Sequence, residues 1–169
     1  MRRRLLLGVA AGAVGTIALD VASYLDMVVR ARPASSTPAE VAGALAERAG
    51  VELAADGQQS ERAGNRRSGL GALFGYGVGL GIGAAYGLLR PRLPGLPRPA
   101  AAVGLGLAAM AASDVPATAL GVTDPRTWGA VGWASDLLPH LAYGLAAATA
   151  YEALADRAGR RVGSSREAA

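Results

Sequence analysis

The sequence has no cysteine, no lysine, one histidine and one phenylalanine among its 169 residues. Without cysteine, disulfides and thiolate metal centres are excluded, and the redox compartment is left undetermined. Charge is also scarce: 18% of residues are Asp, Glu or Arg, against about a quarter in a typical soluble domain. In its place stand 51% hydrophobic residues and 24 glycines, with a mean hydropathy of +0.28. Abundant Ala, Gly, Arg and Pro is in part what a GC-rich coding bias produces. The net charge of +4 does not indicate a nucleic-acid partner. The arginines flank apolar runs and form no patch with interleaved aromatics.

Four apolar stretches approach the ~20 residues that a helix needs to cross a bilayer. They cover residues 5–29, 68–89, 100–122 and 129–151. The sequence therefore predicts an all-α fold, an integral membrane four-helix bundle forming one transmembrane domain over 1–156, with a basic tail over 157–169. The lipid bilayer is its expected surrounding. Arg2, Arg3 and Arg4 precede the first stretch, and Arg90, Arg92 and Arg98 lie between the second and third with no acid among them. Arg157, Arg160, Arg161 and Arg166 outnumber the acids after the fourth. The connections 30–67 and 123–127 are nearly balanced. By the positive-inside rule both termini are then cytoplasmic.

The start MRRRLLLG also fits a secretory or twin-arginine leader. No clear A-x-A site follows and the apolar run continues past Asp20, so residues 1–23 are expected to be retained. In the first outer connection, Thr37-Pro38-Ala39-Glu40 has the form of a capping box with Pro at the first helical position, which predicts a short helix over 38–49. From Glu52 to Asn65 the chain is polar and is expected to be mobile. RPRLPGLPRP, on the inner side, is a stiff turn.

Glycines recur every four residues in the second stretch, at Gly71, Gly75, Gly79, Gly83 and Gly87, with Gly77 and Gly81 about 200° away. Small residues at this spacing let helix backbones approach closely in lipid. Glycine on two faces predicts a helix sandwiched between neighbours, whether in this chain, a second copy or another membrane protein. Nucleotide binding is disfavoured, because no strand precedes the GxGxxG-like matches. The first helix carries the row Gly8, Gly12, Thr16 and Asp20. The fourth carries Gly132, Asp136, His140, Gly144 and Ala148. Both rows are suited to face other helices.

Asp20, Asp114 and Asp136 each fall seven to nine residues from the outer helix ends, or about 12 Å. His140 lies one turn deeper and Tyr76 at a similar level. A polar layer of Asp20, Asp114, Asp136, His140 and Tyr76 is thus predicted, with Pro116 and Pro139 beside it. Intramembrane ionisable groups are costly and face protein or water. Three chemistries fit such a layer. It can be a hydrogen-bond network that fixes helix register, or a path for protons or cations built on Asp and His. It can be a metal site on Asp136 and His140, although a lone His is a weak donor set. Ser113 and Ser135 lie nearby, but no oxyanion device accompanies them, so catalysis and catalytic residues are not expected. No cofactor beyond that metal ion is implied.

Residues 116–141 resemble a bacterial inner-membrane family, the YagU-like proteins, whose function is not established. The resemblance rests on Pro116, the Gly121-Val122-Thr123-Asp124-Pro125 turn, Trp128, and Ser135-Asp136-Leu137-Leu138-Pro139-His140-Leu141. Gly8-Val9-Ala10-Ala11-Gly12-Ala13-Val14 is similar to that family's first helix. The acidic position is Asp here where the family has Glu, and loop spacings differ by a residue or two. The resemblance implies a multi-pass protein of the bacterial cytoplasmic membrane with a shared role for Asp136 and His140. It implies no activity. The function expected is a small proton or cation transporter or channel-like protein. The alternative is a non-enzymatic packing or accessory subunit that uses its glycine-striped helices.

Overall fold

The computed structural model describes residues 1–53 and 60–167. Five α-helices account for nearly all of them: α1 Arg2–Arg30, α2 Thr37–Arg48, α3 Ser60–Leu89, α4 Arg98–Ala119 and α5 Ala130–Glu167. Two single turns of 3-10 helix, Arg90–Arg92 and Pro125–Thr127, join α3 to α4 and α4 to α5. No strand occurs among the described residues.

The apolar stretches all become helices, but with different limits. Helix α3 begins at Ser60, eight residues before the apolar run, so 60–65 of the segment expected to be mobile are helical. The remainder of that segment over 54–59 lies outside the described residues. Helix α5 continues through the basic tail to Glu167. Three helices are long and apolar enough to cross a membrane: α1, α3 with its 3-10 extension, and α4. At 38 residues α5 has the length, yet it is not among the three. Asp136, Pro139, His140 and Glu152 lower its hydropathy.

Helix α2, Thr37–Arg48, starts one residue before the expected Pro38 and by a different cap. Ser36 is the N-cap residue and makes no side-chain cap. The Thr37 amide instead donates to Ser35 Oγ over 3.3 Å. The α4–α5 connection is a tight turn. Gly121 takes φ +74°, a value that costs glycine little. The Asp124 carboxylate accepts from the Arg126 amide at 3.0 Å. Trp128 donates its indole N–H to Thr123 Oγ1 at 3.0 Å and stacks edge-on against Trp133.

Helix α1 packs antiparallel along both α3 and α5, and α5 packs along α4; α3 and α4 touch only lightly, while α2 lies on α3. The long helices thus run in the spatial order α3–α1–α5–α4. Close backbone approach sets both outer contacts. At the α1–α3 crossing, Gly8 and Gly12 face Gly83 and Gly87, and Thr16 faces Gly79. At the α5–α4 crossing, Gly144 faces Ala102 and Gly106.

The core between them is mostly alanine: Ala102, Ala109, Ala147 and Ala148 with Leu105 and Tyr143. Tyr143 is the one large side chain with less than 2% exposure. Bulky apolar side chains are turned outward instead, among them Ile17, Val21, Leu25 and Val28 on α1. Small residues inside and large ones outside is the pattern of helices that associate by packing in lipid.

Candidate functional site

Helices α4 and α5 carry matching small-residue rows, Ala102–Gly106 on one and Gly144–Ala148 on the other, which let their backbones touch. Beyond the crossing each row continues into polar residues. Ser113 and Asp114 stand near the end of α4; Asp136 and His140 occupy the second and third turns of α5.

Pro139, inside α5, brings no N–H to the Ser135 carbonyl and opens the helix one residue before His140. The His140 ring folds back along its own helix. Its Nδ1 lies 2.8 Å from the Asp136 carbonyl oxygen and 3.5 Å from Asp136 Oδ1. A carbonyl can only accept, so Nδ1 carries the hydrogen. Nε2 is then the nitrogen left to bind or release a proton. It points at α4, 3.4 Å from Ser113 Oγ, whose own hydrogen has the Met110 carbonyl as an acceptor at 2.9 Å.

The Asp114 and Asp136 carboxyl groups are close enough to interact across the two helices. The second oxygen of Asp136, Oδ2, is buried and has no donor partner among the described residues. The His140 side chain keeps 12% of its surface exposed and that of Asp136 keeps 25%. The result is a polar run, Asp114–Asp136–His140–Ser113, bridging two helices.

Two members of the expected layer stand apart. Asp20 has no hydrogen-bond or ion-pair partner among the described residues. Tyr76 is half exposed and makes no hydrogen bond among the described residues. The metal reading is not supported by the arrangement. No group of three or more His, Asp or Glu among the described residues could hold a metal ion.

The glycines divide similarly. Gly71 packs against Pro38 of α2, and Gly79, Gly83 and Gly87 against α1, whereas a Cβ at Gly75, Gly77 or Gly81 would meet nothing. Within this chain, helix α3 is therefore open at Gly77 and Gly81 on its second face. Gly132 meets only Trp128 of the preceding turn.

Sequence reasoning missed Gly15, Gly106, Tyr143 and Tyr151. The Tyr143 hydroxyl donates to the Gly79 carbonyl at 2.6 Å, and the Tyr151 hydroxyl to the Gly87 carbonyl at 3.1 Å. Each reaches past α1 to α3 through the space that glycine leaves. The signal was present: tyrosines at i and i+8 on α5 match glycines at i and i+8 on α3. Likewise Ala102, Gly106, Met110 and Asp114 form an i, i+4 row on α4, the same pattern recognised on α1 and α5.

At the end of the bundle where α1 stops, Arg30 bonds Asp26 and reaches Ser135 of α5. Arg32 completes the pair on Asp26. At the opposite end Arg90 Nε bonds Glu152 Oε1 over 2.7 Å. One end of the bundle is thus linked by a hydrogen bond from Arg30 to α5 and the other by the Arg90–Glu152 ion pair.

Compared with family models, curated proteins and solved structures, the chain matches none.

Proposed function

We propose that the chain is a small multi-pass protein of the bacterial cytoplasmic membrane that passes protons through the Asp114–Asp136–His140 cluster. The observation that carries this reading is the half-buried Asp136 carboxyl, one oxygen of which is fully buried, placed beside a second carboxyl and an imidazole on two touching helices. Two neighbouring carboxyl groups accommodate one shared proton, which gives the unpartnered Asp136 Oδ2 a donor. His140 holds its hydrogen on Nδ1 and offers Nε2 toward Ser113, so a proton can arrive at one nitrogen while the other stays fixed. Ionisable groups inside membrane helices commonly serve proton relays.

In this reading all four long helices cross the bilayer, α5 included. Its polar residues are then tolerated because they face α4 rather than lipid. The arginine distribution supports cytoplasmic termini. The resemblance of residues 116–141 to the YagU-like family is part of the same proposal. Reconstitution into liposomes with a trapped pH-sensitive dye and a clamped membrane potential tests it. Proton flux above that of empty liposomes is expected.

One observation favours a second reading. Gly75, Gly77 and Gly81 leave part of α3 without a packing partner, as in an accessory subunit that docks on another membrane helix. Absence of flux together with stable co-purification of such a helix would favour it.

A further inference from the structure

We propose that the cleft between the start of α1, the Arg90–Pro94 turn and α5 near Tyr151 binds the phosphate headgroup of an anionic phospholipid. The cleft holds about 750 Å³. Its charged lining is three arginines, Arg3, Arg4 and Arg90, against one acid, Glu152. That acid is already engaged, because Arg90 bonds it through Nε at 2.7 Å and turns Nη1 to the Leu93 carbonyl at 2.7 Å. Arg3 and Arg4 are exposed and have no ion-pair or hydrogen-bond partner among the described residues. Cationic charge therefore borders a concave space without compensation. Guanidinium groups are suited to phosphate, which they bind through paired N–H donors.

The rest of the lining distinguishes a lipid from a free anion. Leu7, Pro91 and Pro94 give the cleft an apolar wall, and Leu5 and Leu6 project outward from α1 beside it. A neighbouring recess of about 200 Å³ shares Met1 and Arg4 and adds Arg92. Helix α1 starts at this end, α3 stops here and α4 starts here. A span through these helices puts the cleft at headgroup depth, with acyl chains against the leucines. Inorganic phosphate would satisfy the arginines but leave the apolar wall uncovered. The inference rests on the membrane placement and not on proton transfer, so it survives a failed flux assay.

Native mass spectrometry of the full chain released from mixed micelles provides the test. Wild type is expected to retain phosphatidylglycerol in preference to phosphatidylcholine. The double variant Arg3→Gln/Arg4→Gln loses that preference by about tenfold, while Arg126→Gln, at the other end of the bundle, keeps it. Equal retention of the two lipids by wild type would overturn the proposal, with no variant required. So would an unchanged preference in a double variant whose circular dichroism is native. An excess of inorganic phosphate is expected to leave lipid retention intact. Displacement of the lipid by inorganic phosphate would contradict the lipid assignment and make this a site for a soluble phosphate.

Discussion

Gly83 of α3 lies so near Gly12 of α1 that a Cβ on Gly83 would come within 2.5 Å of the Gly12 Cα. The contact is backbone on backbone, so nothing flexible can yield. Thr16 one turn on is buried with its hydroxyl bonded to the Gly12 carbonyl at 2.9 Å.

Gly83→Ala is expected to destabilise the protein by about 1–3 kcal/mol, as overpacking does. Gly77→Ala, where a Cβ meets nothing, should be neutral or stabilise by up to ~1 kcal/mol through helix propensity. Thermal unfolding in detergent separates the two. Equal effects would mean that the α1–α3 crossing is not where the glycines matter.

The two tyrosine bonds should act independently. Tyr143→Phe and Tyr151→Phe each remove one hydroxyl donor, at a cost of roughly 0.5–1.5 kcal/mol. They lie eight residues apart on α5, about 12 Å, so the double variant should show the sum. Tyr143→Ala, which also empties the site of the largest fully buried ring, should cost about 3 kcal/mol or more.

Much of this was legible in the sequence, and the boundary of legibility is physical. Apolar length and four-residue glycine spacing are local properties, and they identified the helices and the small-residue rows that the structure brings together at the α1–α3 crossing. What they could not supply is which face of each helix meets a neighbour. Depth along the helix axis put Tyr76, Asp20 and Asp114 in one layer, but depth alone does not make contacts: Tyr76 is half exposed and Asp20 finds no hydrogen-bond or ion-pair partner among the described residues. The Asp136–His140 pair was readable because both residues sit on one helix at i and i+4. Ser113 as the partner of Nε2 was not, since it depends on how α4 crosses α5. The continuation of α5 into the basic tail was hidden because hydropathy marks where a membrane ends, not where a helix does.

Membrane orientation can be measured directly, since the chain has no cysteine and every introduced thiol is unique. Ala34→Cys should react with a membrane-impermeant maleimide on intact cells, and Gly95→Cys should not react until the cells are opened. The reverse pattern would invert the orientation; labelling of both on intact cells would contradict the placement of the α3–α4 turn.

Within the polar layer the residues should rank by contact. Tyr76→Phe is expected to leave proton flux unchanged, and Asp20→Asn to lower it less than twofold, because neither touches the Asp136–His140 pair. Dye-quench rates in proteoliposomes check the order. A Tyr76→Phe variant without flux would move the path onto α3.

The most direct test of the central claim is the initial rate of potential-driven proton uptake in proteoliposomes, compared between wild type and Asp136→Asn. The substitution keeps the side chain's size and removes its ability to carry a proton. The account predicts measurable uptake by wild type and a loss of tenfold or more in the variant, about 1.4 kcal/mol or more in activation free energy, with an unfolding temperature close to that of wild type. Uptake by Asp136→Asn at the wild-type rate, or wild-type uptake no faster than that of protein-free liposomes, would contradict it.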